Sequence, residues 1–311
     1  MPNILFAAGA ALWQDYREAL PAALARAGIE ATILTETADP ASVHYIIYAP
    51  GAALTDFAPF TRCKAVLNLW AGVEKFVRNP TLVQPLARMV NHELTEGMVE
   101  YVTGHVLRHH LGMDAHILGQ DGVWRNQVLP PLARERPVTV LGMGELGRAA
   151  ASALAGLNFP VTGWSRSQHE VPGVTCLCGA DGLKRALAAA QIVVLLLPLT
   201  PDTTNLLDEQ RLALLPTGAV IINPGRGALI DDDALLAALR SGQIGHATQD
   251  VFRIEPLPAG HPFWAHPKVT VTPHIAADTR VTSAAAVLVE NIRRGEAGEA
   301  LLHLVDPKRG Y

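Results

Sequence analysis

The hydrophobic positions of this chain fall in short runs separated by stretches of helical spacing, and the alternation starts at the first residues. Asn3–Ala7 reads as a strand, followed by a helix through Tyr16–Ala27 that ends at Gly28. Ala31–Leu34, Tyr45–Tyr48 and Ala65–Leu69 follow as strands, so four short strands precede residue 95. From Thr95 to about Gly119 a single long helix is predicted, with Met98, Val102, Val106 and Leu107 on one side. A weaker segment, Gln120 to Arg136, holds Trp124 and the Pro130-Pro131 pair. Val138–Leu141 opens a second series of strands: Val161–Trp164, Val174–Leu177, Ile192–Leu197, Ala219–Asn223, Ala247–Val251 and Val269–Thr272. Helices such as Asp232–Ser241 lie between them, and a last helix spans roughly Asp278–Gly295. Strand and helix alternating in this way predict parallel sheets.

The turn after Val138–Leu141 carries the pattern Gly142-Met143-Gly144-Glu145-Leu146-Gly147 and leads into a helical run, Leu146–Leu157. Glycines in this spacing are common. What gives them meaning is their place between a strand and a helix. Gly142 permits the tight turn, Gly144 lets a pyrophosphate approach the backbone, and Gly147 lets helix and strand pack closely. The expected fold class is therefore α/β, with two doubly wound parallel-sheet domains. A Rossmann-type dinucleotide domain (95–282) is inserted into a smaller flavodoxin-like substrate domain (1–94 plus 283–311), with the substrate expected in a cleft at a two-helix hinge. The next strand ends in Ser165-Arg166-Ser167, where a site for NAD would place an acidic residue against the ribose hydroxyls. A guanidinium flanked by hydroxyls suits a 2′-phosphate, so NADPH is the expected cofactor, preferred over NADH.

Three residues downstream carry a possible chemistry: Arg226 in NPGRGALID, Glu255 in DVFRIEPLP and His274 in TPHIAA. Beside a dinucleotide, a guanidinium can hold and polarise a 2-keto acid, an imidazole can donate the proton, and a carboxylate can keep that imidazole oriented and charged. Composition narrows the partners. A formal charge of −4 gives no basic footprint for nucleic acid, and the longest apolar run, Ile192 to Pro198, is too short to span a membrane. Three cysteines, Cys63, Cys176 and Cys178, cannot build a disulfide framework, and the apolar start Ile4–Ala8 reads as a strand in place of a secretion signal. These features point to the cytoplasm. No metal is expected: His109 and His110 are adjacent on a helix and cannot face one ion, and His92, His105 and His116 read as packed or surface residues.

These motifs together resemble the D-isomer-specific 2-hydroxyacid dehydrogenase family over the whole chain. They are Asn223-Pro224-Gly225-Arg226-Gly227, Glu255-Pro256-Leu257, Thr272-Pro273-His274, the loop Leu69–Glu74, the helix start Met98–Tyr101, Trp164-Ser165-Arg166 and Arg309-Gly310-Tyr311. The branch they are most similar to is that of the glyoxylate/hydroxypyruvate reductases. The resemblance implies that the amides of Ala71, Gly72 and Val73, next to Trp70, help bind a substrate carboxylate. It implies too that Asp250 holds the nicotinamide carboxamide and that Leu197, Pro198 and Thr200 line the adenosine side. Tyr48 is either a wall of the substrate pocket or a packed aromatic. Trp124 is either a residue that reaches across a homodimer or a local core tryptophan. Trp70 and Gln249 depart from the usual pattern. Phosphoglycerate and D-lactate dehydrogenases are alternatives within the family, and a nucleotide-sensing module without turnover is one outside it.

Overall fold

The computed structural model describes residues 1–127 and 129–310. Tyr311, part of the C-terminal motif above, and Val128, within the weak segment Gln120–Arg136, lie outside the described residues. The chain divides into two compact units, one of Met1–Leu94 with the residues from Asp278 on, the other of Thr95–Ala277.

The first unit is built on strands β1 (Asn3–Phe6), β2 (Thr32–Leu34), β3 (Tyr45–Tyr48), β4 (Ala65–Asn68) and β5 (Leu86–Ala87). They form one parallel sheet in the order β2-β1-β3-β4-β5, the flavodoxin-like arrangement. Helix α1 (Ala10–Arg26) covers one face, where Tyr16, Leu20 and Leu24 pack on Ile4, Phe6 and Ile47. It begins earlier than the expected Tyr16, because Gly9 at φ 98° turns the chain straight from β1 into the helix. β5 has two residues, too short to leave a pattern.

In the second unit α2 (His92–His110), which begins at the end of the first, buries Met98, Val102 and Val106, while Leu107 packs half-buried beside them. The single helix expected over Thr95–Gly119 is in fact two. Gly112 adopts φ 62°, a left-handed conformation that ends α2, and α3 (Met113–Leu118) starts anew. The stretch to Arg136 is mostly irregular among its described residues. Seven parallel strands follow: β6 (Val138–Leu141), β7 (Val161–Ser165), β8 (Val174–Cys178), β9 (Ile192–Leu195), β10 (Ala219–Asn223), β11 (Ile244–Gln249) and β12 (Val269–Val271). Their order is β12-β11-β10-β9-β6-β7-β8. The chain therefore winds one way from β6 and then the other, with the switch between β6 and β9. The connecting helices are α4 (Glu145–Gly156), α5 (Gly179–Ala189), α6 (Glu209–Leu212), α7 (Asp232–Ser241) and α8 (Pro262–Ala265). Central strands β6, β9 and β10 are buried throughout, as a sheet covered on both faces requires. A last helix, α9 (Val281–Ala297), returns to the first unit and packs along α1. Among the described residues no helix is long and apolar enough to cross a membrane.

Candidate active site

The glycine turn sits at the carboxyl end of β6, beside the switch point. Gly142 has φ 109°, and a Cβ there would lie 2.5 Å from the Leu196 carbonyl oxygen. A Cβ on Gly147 would lie 1.7 Å from the Gly142 oxygen. Neither position tolerates a side chain. At Gly144 the opposite holds: a Cβ would meet nothing within 4 Å, so the backbone borders open space at the amino end of α4. These residues fit a dinucleotide pyrophosphate, with two glycines closing the turn and one leaving the approach clear. Met143 is buried, and its sulfur would lie 2.4 Å from a Cβ on Gly163 of β7, which explains the glycine in that strand. Glu145 pairs with Arg148 one turn on.

Ser165 ends β7, and its hydroxyl donates to the Ser167 carbonyl at 2.7 Å, folding the turn around exposed Arg166. Leu197, Pro198 and Thr200 follow β9. Thr203 fastens that loop, donating to Pro198 O at 2.7 Å and accepting from Thr200 N at 2.8 Å.

Beyond β10 and β11 the structure links the catalytic candidates through one network. Asn223, fully buried at the end of β10, donates through Nδ2 to the Arg226 carbonyl at 3.0 Å and to Gln249 Oε1 at 3.1 Å. Its Oδ1 accepts from Gly225 N at 3.2 Å. Arg226 donates from Nη1 to the Gly225 carbonyl at 2.7 Å. A Cβ on Gly227 would lie 2.1 Å from the Phe252 carbonyl carbon, so this loop abuts the one after β11. There Phe252 N donates to Glu255 Oε1 at 2.8 Å, and Glu255 Oε2 stands 2.8 Å from His274 Nδ1. Arg253 anchors the same loop from below, contacting Asn205, the Ile230 carbonyl and Asp232.

His274 adopts φ 56°, a region that non-glycine residues seldom occupy and that is enriched at working sites. Its amide donates to the carbonyls of Asp250 at 2.8 Å and Thr272 at 3.0 Å. The Asp250 side chain holds the rest of the turn. It is 0% exposed, and Oδ1 accepts from Thr272 Oγ1 at 2.6 Å and Ile275 N at 2.9 Å, while Oδ2 accepts from Ala276 N at 2.9 Å. Tyr101 on α2 extends the chain to Thr272 Oγ1 at 2.7 Å. Burial, ahead of all other influences, pushes the Tyr101 phenol above its ordinary range.

Of the remaining candidates, Tyr48, Trp70 and Val73 belong to the first unit and Trp124 to the second. Tyr48 is a packed aromatic in the core of the first unit, with ring centroids 5.5 Å from Phe57 and 4.8 Å from Phe76. Trp70 is exposed, and Asn68 at the end of β4 donates to the carbonyls of Trp70 at 2.6 Å and Gly72 at 2.9 Å. Val73 is buried. The local-core alternative for Trp124 is overturned, since the side chain is 89% exposed. Asn68, Asn223, Thr203, Arg253 and Tyr101 escaped notice as organisers; the one available signal was an asparagine closing a strand just ahead of a glycine-bearing loop.

Comparison with known proteins adds to this geometry. The family model for the D-isomer specific 2-hydroxyacid dehydrogenase, NAD binding domain, matches residues 103–276. The chain is 40% identical over 257 residues to a glyoxylate/hydroxypyruvate reductase A of Yersinia enterocolitica, covering 80% of this chain and 82% of that protein. It is similar to the crystal structure of a D-isomer specific 2-hydroxyacid dehydrogenase from Xanthobacter autotrophicus in complex with NADPH and MES, with a TM-score of 0.91 and 42% identity, covering 100% of this chain and 99% of that one. The NADPH-dependent glyoxylate/hydroxypyruvate reductase of Sinorhizobium meliloti, solved with NADP and sulfate, superposes with a TM-score of 0.88 at 34% identity, covering 100% of both chains.

Proposed function

Because this chain belongs to the D-isomer specific 2-hydroxyacid dehydrogenase family, we propose that it is an NADPH-dependent reductase of small 2-keto acids, glyoxylate and hydroxypyruvate foremost. The observation that carries the reading is the 2.8 Å contact between His274 Nδ1 and Glu255 Oε2. A carboxylate on Nδ1 assigns that nitrogen as the donor to Glu255 and leaves Nε2 as the atom that delivers a proton. The bound cofactor supplies hydride to the carbonyl carbon. Arg226 holds the substrate carboxylate and polarises the ketone, and His274 protonates the ketone oxygen as it becomes a hydroxyl. The His274 side chain is 51% exposed, so water restores its proton. Ala71, Gly72 and Val73 are proposed to offer backbone amides to the carboxylate.

The glycine turn, the Ser165-Arg166-Ser167 turn and the loop of Leu197, Pro198 and Thr200 are assigned to NADPH. The relatives solved with NADPH or NADP support that choice, as does the absence of an acid at Ser165. Exposed Trp124, with Leu118, Val123 and Leu129 near it in the chain, supports a homodimer in which this segment meets a second copy. Cysteines 63, 176 and 178 are free, which suits the cytoplasm proposed here. The test is NADPH oxidation with a panel of 2-keto acids. The enzyme should consume NADPH faster than NADH on glyoxylate or hydroxypyruvate, and His274→Ala should lower turnover on the order of 10²–10⁴-fold. A purified protein that binds NADPH and turns over no 2-keto acid would leave the sensing module as the correct reading.

A further inference from the structure

We propose that His109, His246 and Asp114 form a site for one divalent transition-metal ion of the zinc class, on the side of the second unit where α2, α3 and β11 meet. Each residue brings one donor atom, and all three atoms lie within 4.8 Å of one another. Two imidazoles and a carboxylate, with a position left for water, form a recurrent ligand set for zinc, with bonds of roughly 2.0–2.2 Å. Bonds of that length require the three donor atoms to draw closer together than this, so side-chain rotation accompanies binding.

In each ring one nitrogen is held by a threonine hydroxyl, which leaves Nδ1 for an ion. His109 Nε2 lies 2.9 Å from Thr248 Oγ1, and His246 Nε2 lies 2.8 Å from Thr270 Oγ1. Such outer partners fix ring direction in metal sites. The ring centroids of His109 and His246 are 4.8 Å apart.

Asp114 is engaged on one side only. Arg108 Nε meets its Oδ1 at 2.7 Å, which leaves Oδ2 to face an ion. That guanidinium also sets the selectivity. A cation next to it must gain more from imidazole nitrogen than it loses by repulsion, which favours zinc, nickel or copper and disfavours magnesium and calcium. The ion would tie the start of α3 to β11 across the break at Gly112. The adjacency of His109 and His110 in sequence hid this arrangement, because the partner of His109 is on a strand far along the chain.

The experiment uses the full-length, metal-stripped protein. Zn²⁺ is titrated against a chelating dye, and Co²⁺ serves as a spectroscopic stand-in. The expected result is one Zn²⁺ per chain and a Co²⁺ spectrum with visible ligand-field bands but no thiolate charge transfer. His246→Gln and Asp114→Asn should each weaken Zn²⁺ binding at least tenfold, and Cys176→Ser with Cys178→Ser should leave it unchanged. Mg²⁺ and Ca²⁺ should not compete. Circular dichroism checks the fold, and should His246→Gln fail that check, the half-buried Asp114→Asn decides. No stoichiometric Zn²⁺ at micromolar concentration, or binding that follows the cysteines and survives Asp114→Asn, would overturn the proposal.

Discussion

Replacing Asp250 by Asn exchanges one carboxylate oxygen for an NH₂ group and tests what that carboxylate is for. It is 0% exposed and accepts from Thr272 Oγ1, Ile275 N and Ala276 N within 2.9 Å. An asparagine cannot reproduce this. If its oxygen faces Thr272 and Ile275, its NH₂ group faces the Ala276 N–H, donor against donor. If it is flipped, two acceptors are lost in place of one. At the least, one charge-assisted bond disappears, one buried N–H is left unsatisfied, and the surviving bonds become neutral. Together these changes cost roughly 2.5–6 kcal/mol in a buried setting. Total stability is on the order of 5–15 kcal/mol, so this is a large fraction of it. The strain falls on 272–276, the turn that places His274, where a displacement of about 1 Å can lower a rate on the order of 10²-fold. Asp250→Asn should therefore lower both Tm and kcat, measured by thermal unfolding and by NADPH oxidation at saturating cofactor and keto acid. A variant with parental Tm and kcat but a raised KM for NADPH would refute this reasoning. It would show that Asp250 acts on the nicotinamide carboxamide and not on the turn.

Other outcomes follow from the same structure. Arg166→Ala should raise KM for NADPH by roughly 10–150-fold and leave NADH nearly untouched, the worth of one charge-assisted pair; equal effects on both cofactors would remove Arg166 from phosphate recognition. Glu255→Gln keeps the shape of the partner of His274 and removes its charge, so kcat should fall more than KM rises, and an unchanged kcat would break the assigned pairing. Light scattering should give a dimer at assay concentration, with Trp124→Ala less active than the parent; a fully active monomer would exclude a cross-subunit role for Trp124. The hydrogen bond from Arg293 leads the influences that hold Glu290, in the second half of α9, down to about 2 from 4.5. A lowered folded value stabilises above the unfolded value, and the contribution is lost as pH falls from about 4.5 through about 2. Glu290→Gln should flatten that part of the Tm–pH curve, and an identical acid slope in both proteins would show that the pairing contributes nothing.

The parallel sheets were legible in the sequence because their central strands are buried on both faces and stand out as apolar runs. Tyr45–Tyr48 and Ala219–Asn223 carry the same bounds in sequence and structure. Legibility failed where backbone geometry overrides periodicity. Leu107 to Leu118 keeps a helical rhythm, yet Gly112 in the left-handed region breaks it, a choice apolar spacing does not record. The sequence signal of β11 starts at Ala247 although the strand begins at Ile244, because Gly245 and His246 dilute the apolar run where the ladder with β10 shifts register, Ile244 pairing with Ala219 and His246 with Val220. The candidate site divides in the same way. Gly142 and Gly147 are forced by close approaches that sequence context exposes, whereas the hold of Asp250 on Ile275 and Ala276 needs the fold to bring β11 beside β12.

The two asparagines that close β4 and β10 show how such a sheet equips its loops. In a trans peptide the carbonyl of one residue and the N–H of the next point in opposite directions. Asn68 draws the carbonyls of Trp70 and Gly72 inward, which turns the N–H groups of Ala71 and Val73 away from the strand. Asn223 draws in the Arg226 carbonyl and so turns the Gly227 N–H outward by the same logic. A buried amide at a strand's carboxyl end thus adds a donor to the loop carbonyls, and it aims the following amides at whatever lies beyond the sheet. Asp250 does the complementary task just after β11, accepting amides where the asparagines donate to carbonyls. An acceptor there ties down the amides of Ile275 and Ala276, leaving the His274 side chain as the polar group that the turn presents.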